Sequence, residues 1–143
     1  MNAITDAFSI NKHNSCKFDG FIDRTYKFIE NFQLLDSELW ARFVLQFKTE
    51  ADNDMRWRGE YWGKMMRGAC FVYSYTKNEA LYQVLVTTVS DMLSSADDLG
   101  RISTYGIEKE FDGWDLWCRK YVILGMQYFL EICRDQELSD KIL

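Results

Sequence analysis

Trp57, Tyr61, Trp62, Tyr105 and Trp114 stand among Arg56, Arg58, Glu60, Arg101, Glu108, Glu110, Asp112 and Asp115. Flat apolar rings beside groups that donate and accept hydrogen bonds suit a ligand with apolar faces and many hydroxyls, the chemistry of a carbohydrate. Each residue also has a plainer reading. A Trp at a helix start can plug a core, and Glu60 or Asp115 can complement the positive end of a helix. Asp97 and Asp98 read as solvated.

Other chemistries are poorly supplied. His13 is the only histidine and lies in an aperiodic stretch, which argues against a Ser–His or Cys–His nucleophile and against histidine metal ligands. Cys16, Cys70, Cys118 and Cys133 form no CxxC or CxxH pair. They read as small buried hydrophobes, with disulfide pairing between helices as the alternative. Gly59, Gly63 and Gly68 are separated by bulky residues and open no strand–helix unit, so they make no phosphate loop. Glycoside hydrolysis usually needs two carboxyl groups about 5–9.5 Å apart, and no spacing here identifies such a pair.

Composition narrows the classes further. The 143 residues are 48% hydrophobic, enough for a sizeable core in one domain. The net charge of -5, with no run of Lys and Arg, excludes a basic nucleic-acid face. No apolar stretch approaches the length of a membrane span, and residues 1–16 show no charged-then-apolar leader, which leaves the compartment undetermined.

The elements that must position these residues are helices. There is no proline, which suits long uninterrupted helices. Residues 1–18 read as an irregular arm, and 19–143 as one domain. Apolar spacing at threes and fours predicts helices over 21–34, 37–48, 60–76, 79–96 and 113–133, with a sixth beginning at 137. The first carries Phe21, Ile22, Tyr26, Ile29 and Phe32. Asp36 or Ser37 caps the second and Asn78 the fourth. The run Val84 to Val89 is rich in β-branched residues, yet its helical period over four turns outweighs that preference. Gly125, inside the fifth helix, is expected to permit close helix approach. No stop signal closes the sixth helix, so the chain reads as part of a longer one.

Connection lengths give the architecture. The first–second and third–fourth connections are a residue or two. The second–third and fourth–fifth are about 11 and 16 residues, beyond the usual range of about 2–8. In an up-and-down array alternate connections share an end. Both long loops are therefore expected on one end, a functional rim on a toroid of helix hairpins.

Three segments carry a family resemblance. Trp57-Arg58-Gly59-Glu60-Tyr61-Trp62-Gly63-Lys64, followed by Met66-Arg67-Gly68-Ala69, resembles the third-helix region of the β-L-arabinofuranosidase-like proteins, glycoside hydrolase family 127 and relatives. Asp98-Leu99-Gly100-Arg101-Ile102-Ser103-Thr104-Tyr105 is similar to their DGYLxTY stretch. Trp114-Asp115-Leu116-Trp117-Cys118-Arg119-Lys120-Tyr121 falls where they have a HELYxxGH-like helix start. Order and spacing agree over most of 19–143.

The resemblance implies an all-α fold, with up-and-down hairpins forming about half of an (α/α)6 toroid of about twelve helices. It implies a cysteine nucleophile beside a zinc held by cysteines and a glutamate, all expected beyond Leu143. None of the four cysteines here matches those motifs, so no catalytic role or cofactor is carried over. Trp114 and Tyr121 stand where the pattern has histidines, and Asp115 where it has its acidic residue, which points to another sugar. The expectation is the N-terminal portion of a glycoside hydrolase, inactive alone, with carbohydrate contacts at Trp57, Glu60, Trp62, Tyr105, Trp114, Asp115 and Arg119. Self-association through an exposed half-barrel edge is also expected. A non-catalytic helical carbohydrate-binding or interaction module, and a sugar epimerase or lyase-like barrel enzyme, are the alternatives.

Overall fold

The computed structural model describes residues 17–50 and 59–143. Among them there are six α-helices and no strand: α1 (Gly20–Ile29), α2 (Ser37–Lys48), α3 (Gly59–Thr76), α4 (Glu79–Leu93), α5 (Asp115–Leu130) and α6 (Gln136–Ile142). A wider π turn, Glu30–Leu34, extends α1, and a single 3-10 turn, Ile107–Lys109, precedes α5. Short polar side chains start three helices by accepting from amides that lack a helical partner. Asp36 accepts from Leu39 N at 2.9 Å, Asn78 from Ala80 N at 3.0 Å, and Asp135 from Leu138 N at 3.1 Å. The Val84–Val89 run is helical within α4, as its period predicts.

The helices form two layers. Helices α3 and α5 pack side by side, α2 lies against α4, and α4 against α6, while α2·α3, α3·α4 and α5·α6 join the layers. Contacts climb α3 and α5 together: Gly59 lies against Cys118, Gly63 against Tyr121, and the Phe71 and Tyr128 rings meet at 5.2 Å. These two helices are therefore parallel. In the other layer Ser37 and Trp40 share a hollow with Gln83 and Val84, and Lys48 pairs with Asp91, so α2 and α4 are parallel too. Between layers the direction reverses: the tilted Tyr73 and Tyr82 rings meet at 5.3 Å, and the Trp62 indole donates to Thr88 Oγ1 at 3.0 Å.

What brings α3 and α5 together is the absence of side chains. A Cβ on Gly63 would sit 1.8 Å from the Tyr121 carbonyl oxygen, and one on Gly59 2.4 Å from Cys118 Cβ. A Cβ on Gly125 would lie 2.8 Å from the Trp62 ring and 3.0 Å from Gly63 Cα. The backbones themselves are in contact, as Gly125 foretold. The core then fills around Trp40, Trp62, Met66, Leu85, Val89, Met92 and Phe129, all essentially without solvent contact.

The ends sort as connection length predicts. Arg101 of the 94–114 segment reaches Glu50, which follows α2, at 3.5 Å, and Gly59, which opens α3, lies against Thr104. At the opposite end, Arg134 between α5 and α6 pairs with Glu79 at 2.6 Å and donates its N–H to Tyr82 Oη at 2.9 Å.

Helix α1 departs from expectation. Phe21 and Phe32 are 76% and 75% exposed, and Ile22 is also exposed. Tyr26 and Ile29 pack on the core instead, with Tyr26 against Tyr75 at 4.8 Å. Phe21, Phe28 and Phe32 stand about 200–240° round the helix from Tyr26, on the opposite face. The π turn then re-aims the chain so that Leu34 is buried and Leu35 packs on the core, while Glu30 accepts from Thr76 Oγ1 at 2.6 Å.

The glycine crossing yields a paired test. Gly63→Ala forces a methyl into the Tyr121 carbonyl and should cost about 3 kcal/mol or more by chemical denaturation. Gly68→Ala, with nothing within 4 Å of its Cβ, should gain about 0.5–1 kcal/mol from helix propensity alone.

Candidate functional site

The end that carries the long connections is organised by two aspartates. Asp97 holds the start of the 94–114 segment. Its Oδ1 accepts from Leu99 N at 3.0 Å and Arg101 N at 2.8 Å, and its Oδ2 from Arg101 Nε at 2.8 Å. These bonds, the Arg101 side chain's first, hold the Asp97 carboxyl below its ordinary pKa. Arg101 in turn donates to the Tyr105 carbonyl at 2.8 Å. Asp97 is thus a loop hub and not simply solvated.

Asp115 holds the other end. It is fully buried at the first turn of α5. The Ser103 hydroxyl and Arg119 Nε (2.9 Å) donate to its Oδ1, and Phe111 N–H donates to its Oδ2 at 2.9 Å. Burial pushes its pKa up, but the donors from Ser103, Phe111 and Arg119 outweigh that and hold it below the ordinary value. Arg119 continues to Glu110 at 2.8 Å, and Trp114 N–H donates to Tyr105 Oη at 3.3 Å. Tyr105, Trp114, Asp115 and Arg119 therefore do come together, as one clasp that fastens the loop to α5.

Several residues expected to face a sugar are turned inward. Trp62 and Tyr105 have no exposed surface, and Trp62 spends its indole N–H on Thr88 inside the core. Asp115 spends its carboxylate on the clasp. Trp57, with Arg56 and Arg58, lies outside the described residues.

The open part of this end is a cluster across the starts of α3 and α5. Glu60, only 4% exposed, sits in the first turn of α3. One of its oxygens accepts from Lys64 Nζ at 2.9 Å and the other from the Trp117 indole N–H. The bond to Glu60 raises the Lys64 pKa. Trp114, Trp117 and Tyr121 form a ladder of edge-to-face rings, with centroids 5.9 and 5.4 Å apart. Trp114 and Trp117 are each 39% exposed. Lys120 Nζ lies over the Trp117 ring at 3.3 Å and the Tyr121 ring at 4.3 Å.

Trp117, Lys120 and Tyr121 complete this cluster and were not among the expected site residues. The signal was present. Positions 114, 117 and 121 follow helical spacing, but that spacing reads equally as a core stripe. Gly59 and Gly63, by letting α5 approach, bring Trp117 within reach of Glu60.

Cys70 and Cys118 are placed for packing rather than for nucleophilic attack. Burial pushes the Cys70 thiol up to about 12, far from a thiolate at neutral pH. Cys118 is buried against Gly59. No three of His, Cys, Asp and Glu gather closely enough to hold a metal ion. The residues present do not fit a zinc, so no step is derived through one. Comparison with protein-family models, curated proteins and solved structures finds no match.

The clasp makes a pH-dependent prediction. A carboxyl held low in the folded chain adds stability above its ordinary value near 3.8, and that stability is lost as pH falls through the lower folded value. Asp115→Asn should cost about 3 kcal/mol at pH 7, since it breaks a buried pair. The gap between the two proteins, measured by urea unfolding, should close as pH falls below about 4.

Proposed function

We propose that this chain supplies part of the sugar-binding rim of a glycoside hydrolase resembling the β-L-arabinofuranosidases, and that its helices make about half of an (α/α)6 toroid. The observation that carries the binding reading is the part-exposed Trp114–Trp117–Tyr121 ladder beside Glu60 and Lys64, at the end that carries the 94–114 connection. Sugar faces stack on such rings while charged neighbours meet the hydroxyls. Two antiparallel layers, each with parallel neighbours, are what a toroid of hairpins requires, and this supports the architecture.

In this reading the chain binds and does not cleave. Glu60 has both oxygens engaged, Asp115 is sealed in the clasp, and Cys70 stays a thiol. The catalytic groups belong to residues outside this chain, so the chain alone turns over no glycoside.

Binding is testable by titration calorimetry against a panel of neutral and acidic oligosaccharides. Trp117→Ala should weaken the best ligand at least tenfold in a chain that still folds, at a cost of about 1–3 kcal/mol in stability because buried Glu60 loses a donor. Trp62→Ala should instead destabilise the fold by about 3–5 kcal/mol. If no saccharide binds, the sugar reading falls.

The same architecture leaves an edge open. Helices α5 and α6 and the 93–102 segment enclose a cleft of about 860 Å3, whose lining includes Ile102, Val122, Met126, Ile142 and the exposed Ile123, with Arg101, Arg119 and Lys141 among them. An apolar edge of this kind favours association. Sedimentation velocity should show dimers or larger species, and Ile123→Glu should return a monomer. A monomer that persists at high concentration for the unmodified chain would count against the open-edge architecture.

A further inference from the structure

The charge at the aromatic ladder is unbalanced. Glu60 is matched by Lys64, in a contact of 2.9 Å. Lys120 forms no ion pair among the described residues, and its ammonium rests on Trp117 at 3.3 Å and Tyr121 at 4.3 Å. Lys64 stands over the same Tyr121 ring at 5.0 Å. Two cations thus face one carboxylate, on a chain whose net charge is -5. The other acids nearby, Asp115 and Glu110, are both taken up by Arg119.

An ammonium lying on an indole covers the surface that a sugar would stack against. A neutral sugar must displace Lys120 and offers it nothing better in return. A ligand carboxylate does offer something better, because a charge-assisted hydrogen bond is stronger than the ring contact. Lys120 can then swing from the ring to the acid group, uncovering Trp117 for stacking in the same movement.

From this juxtaposition we propose that the ladder takes an acidic saccharide, a uronate, with Lys120 as the residue that selects it. The proposal rests on the sugar-binding reading above. Lys120 both blocks the platform against neutral sugars and pairs with the ligand's carboxylate. Lys64 stays with Glu60 and holds Trp117's acceptor in place.

The test uses the intact chain and trisaccharides of galacturonate and of glucuronate, each compared with its methyl ester, which has nearly the same shape and no charge. Affinities come from calorimetry, and Trp emission reports stacking. The unmodified chain should bind one of the acids at least tenfold more tightly than its ester. Lys120→Met should erase that preference, weakening the acid and binding the ester at least as well as before. Lys120→Arg should keep it. Lys120 is exposed, so the variants should keep the far-ultraviolet spectrum and melting curve of the unmodified chain. Equal binding of acid and ester by the unmodified chain overturns the proposal but leaves the sugar reading standing, as does a preference that survives Lys120→Met. Failure of every saccharide, neutral and acidic, to bind or alter Trp emission overturns both.

Discussion

The contact between α3 and α5 is the constraint on which the rest of this molecule depends. Three glycines, Gly59, Gly63 and Gly125, remove the atoms that would otherwise hold the two backbones apart. Glycine inside a helix costs about 0.5–1 kcal/mol each in helix propensity. That cost is offset only if the close approach buries more than it loses, and here it does. Trp62 lies wedged against Gly125, and Met66 and Val122 join the same core. The spacing of Gly59 and Gly63, one helical turn apart, places both on a single face of α3. A parallel neighbour can then lie against two successive turns.

That crossing also sets the chemistry at the rim. Because α3 and α5 run in the same direction, their first turns lie side by side. The positive ends of two helix dipoles therefore share one surface, and each is met by a buried acid, Glu60 on α3 and Asp115 on α5. The two acids have different work. Asp115 is closed off by Ser103, Phe111 and Arg119 and fixes the connecting segment. Glu60 bridges the helices by accepting from Trp117, and so fixes the orientation of an exposed ring. A long connection is free to move unless its backbone polar groups find partners, and the Asp97–Arg101–Tyr105 and Asp115–Arg119–Glu110 pairs supply them.

Much of the scaffold was legible in the sequence. Helical period located every α-helix among the described residues, Asp36 and Asn78 were candidate caps, the β-branched run in α4 did not mislead, and unequal connections sorted the two ends. The site was read less well, and the reason is physical. Period tells which residues share a face, but not whether that face meets a neighbour or solvent. The apolar set read for the first helix is split between two faces, and of it only Tyr26 and Ile29 pack on the core while Phe21 and Phe32 are exposed. Trp114 read as a ligand contact and is part-exposed, as is Trp117, which was not singled out. Tyr105 and Asp115 read as ligand contacts and are a clasp. Composition pointed only to residue types, whereas the roles depended on which partners the glycine crossing brought near.

A ladder of aromatic rings on a helix differs from one on a loop in what it asks of the fold. Trp114, Trp117 and Tyr121 are spaced by the helix itself, so no loop need be ordered to align them. Trp117 stands in the middle and meets both Trp114 and Tyr121 edge to face. Lys120 sits on Trp117 and brings a charge to the patch. An exposed indole with an ammonium on its face is thus both a protected surface and a conditional one. It opens to a partner that can give the cation a stronger contact than the ring does, and stays covered otherwise.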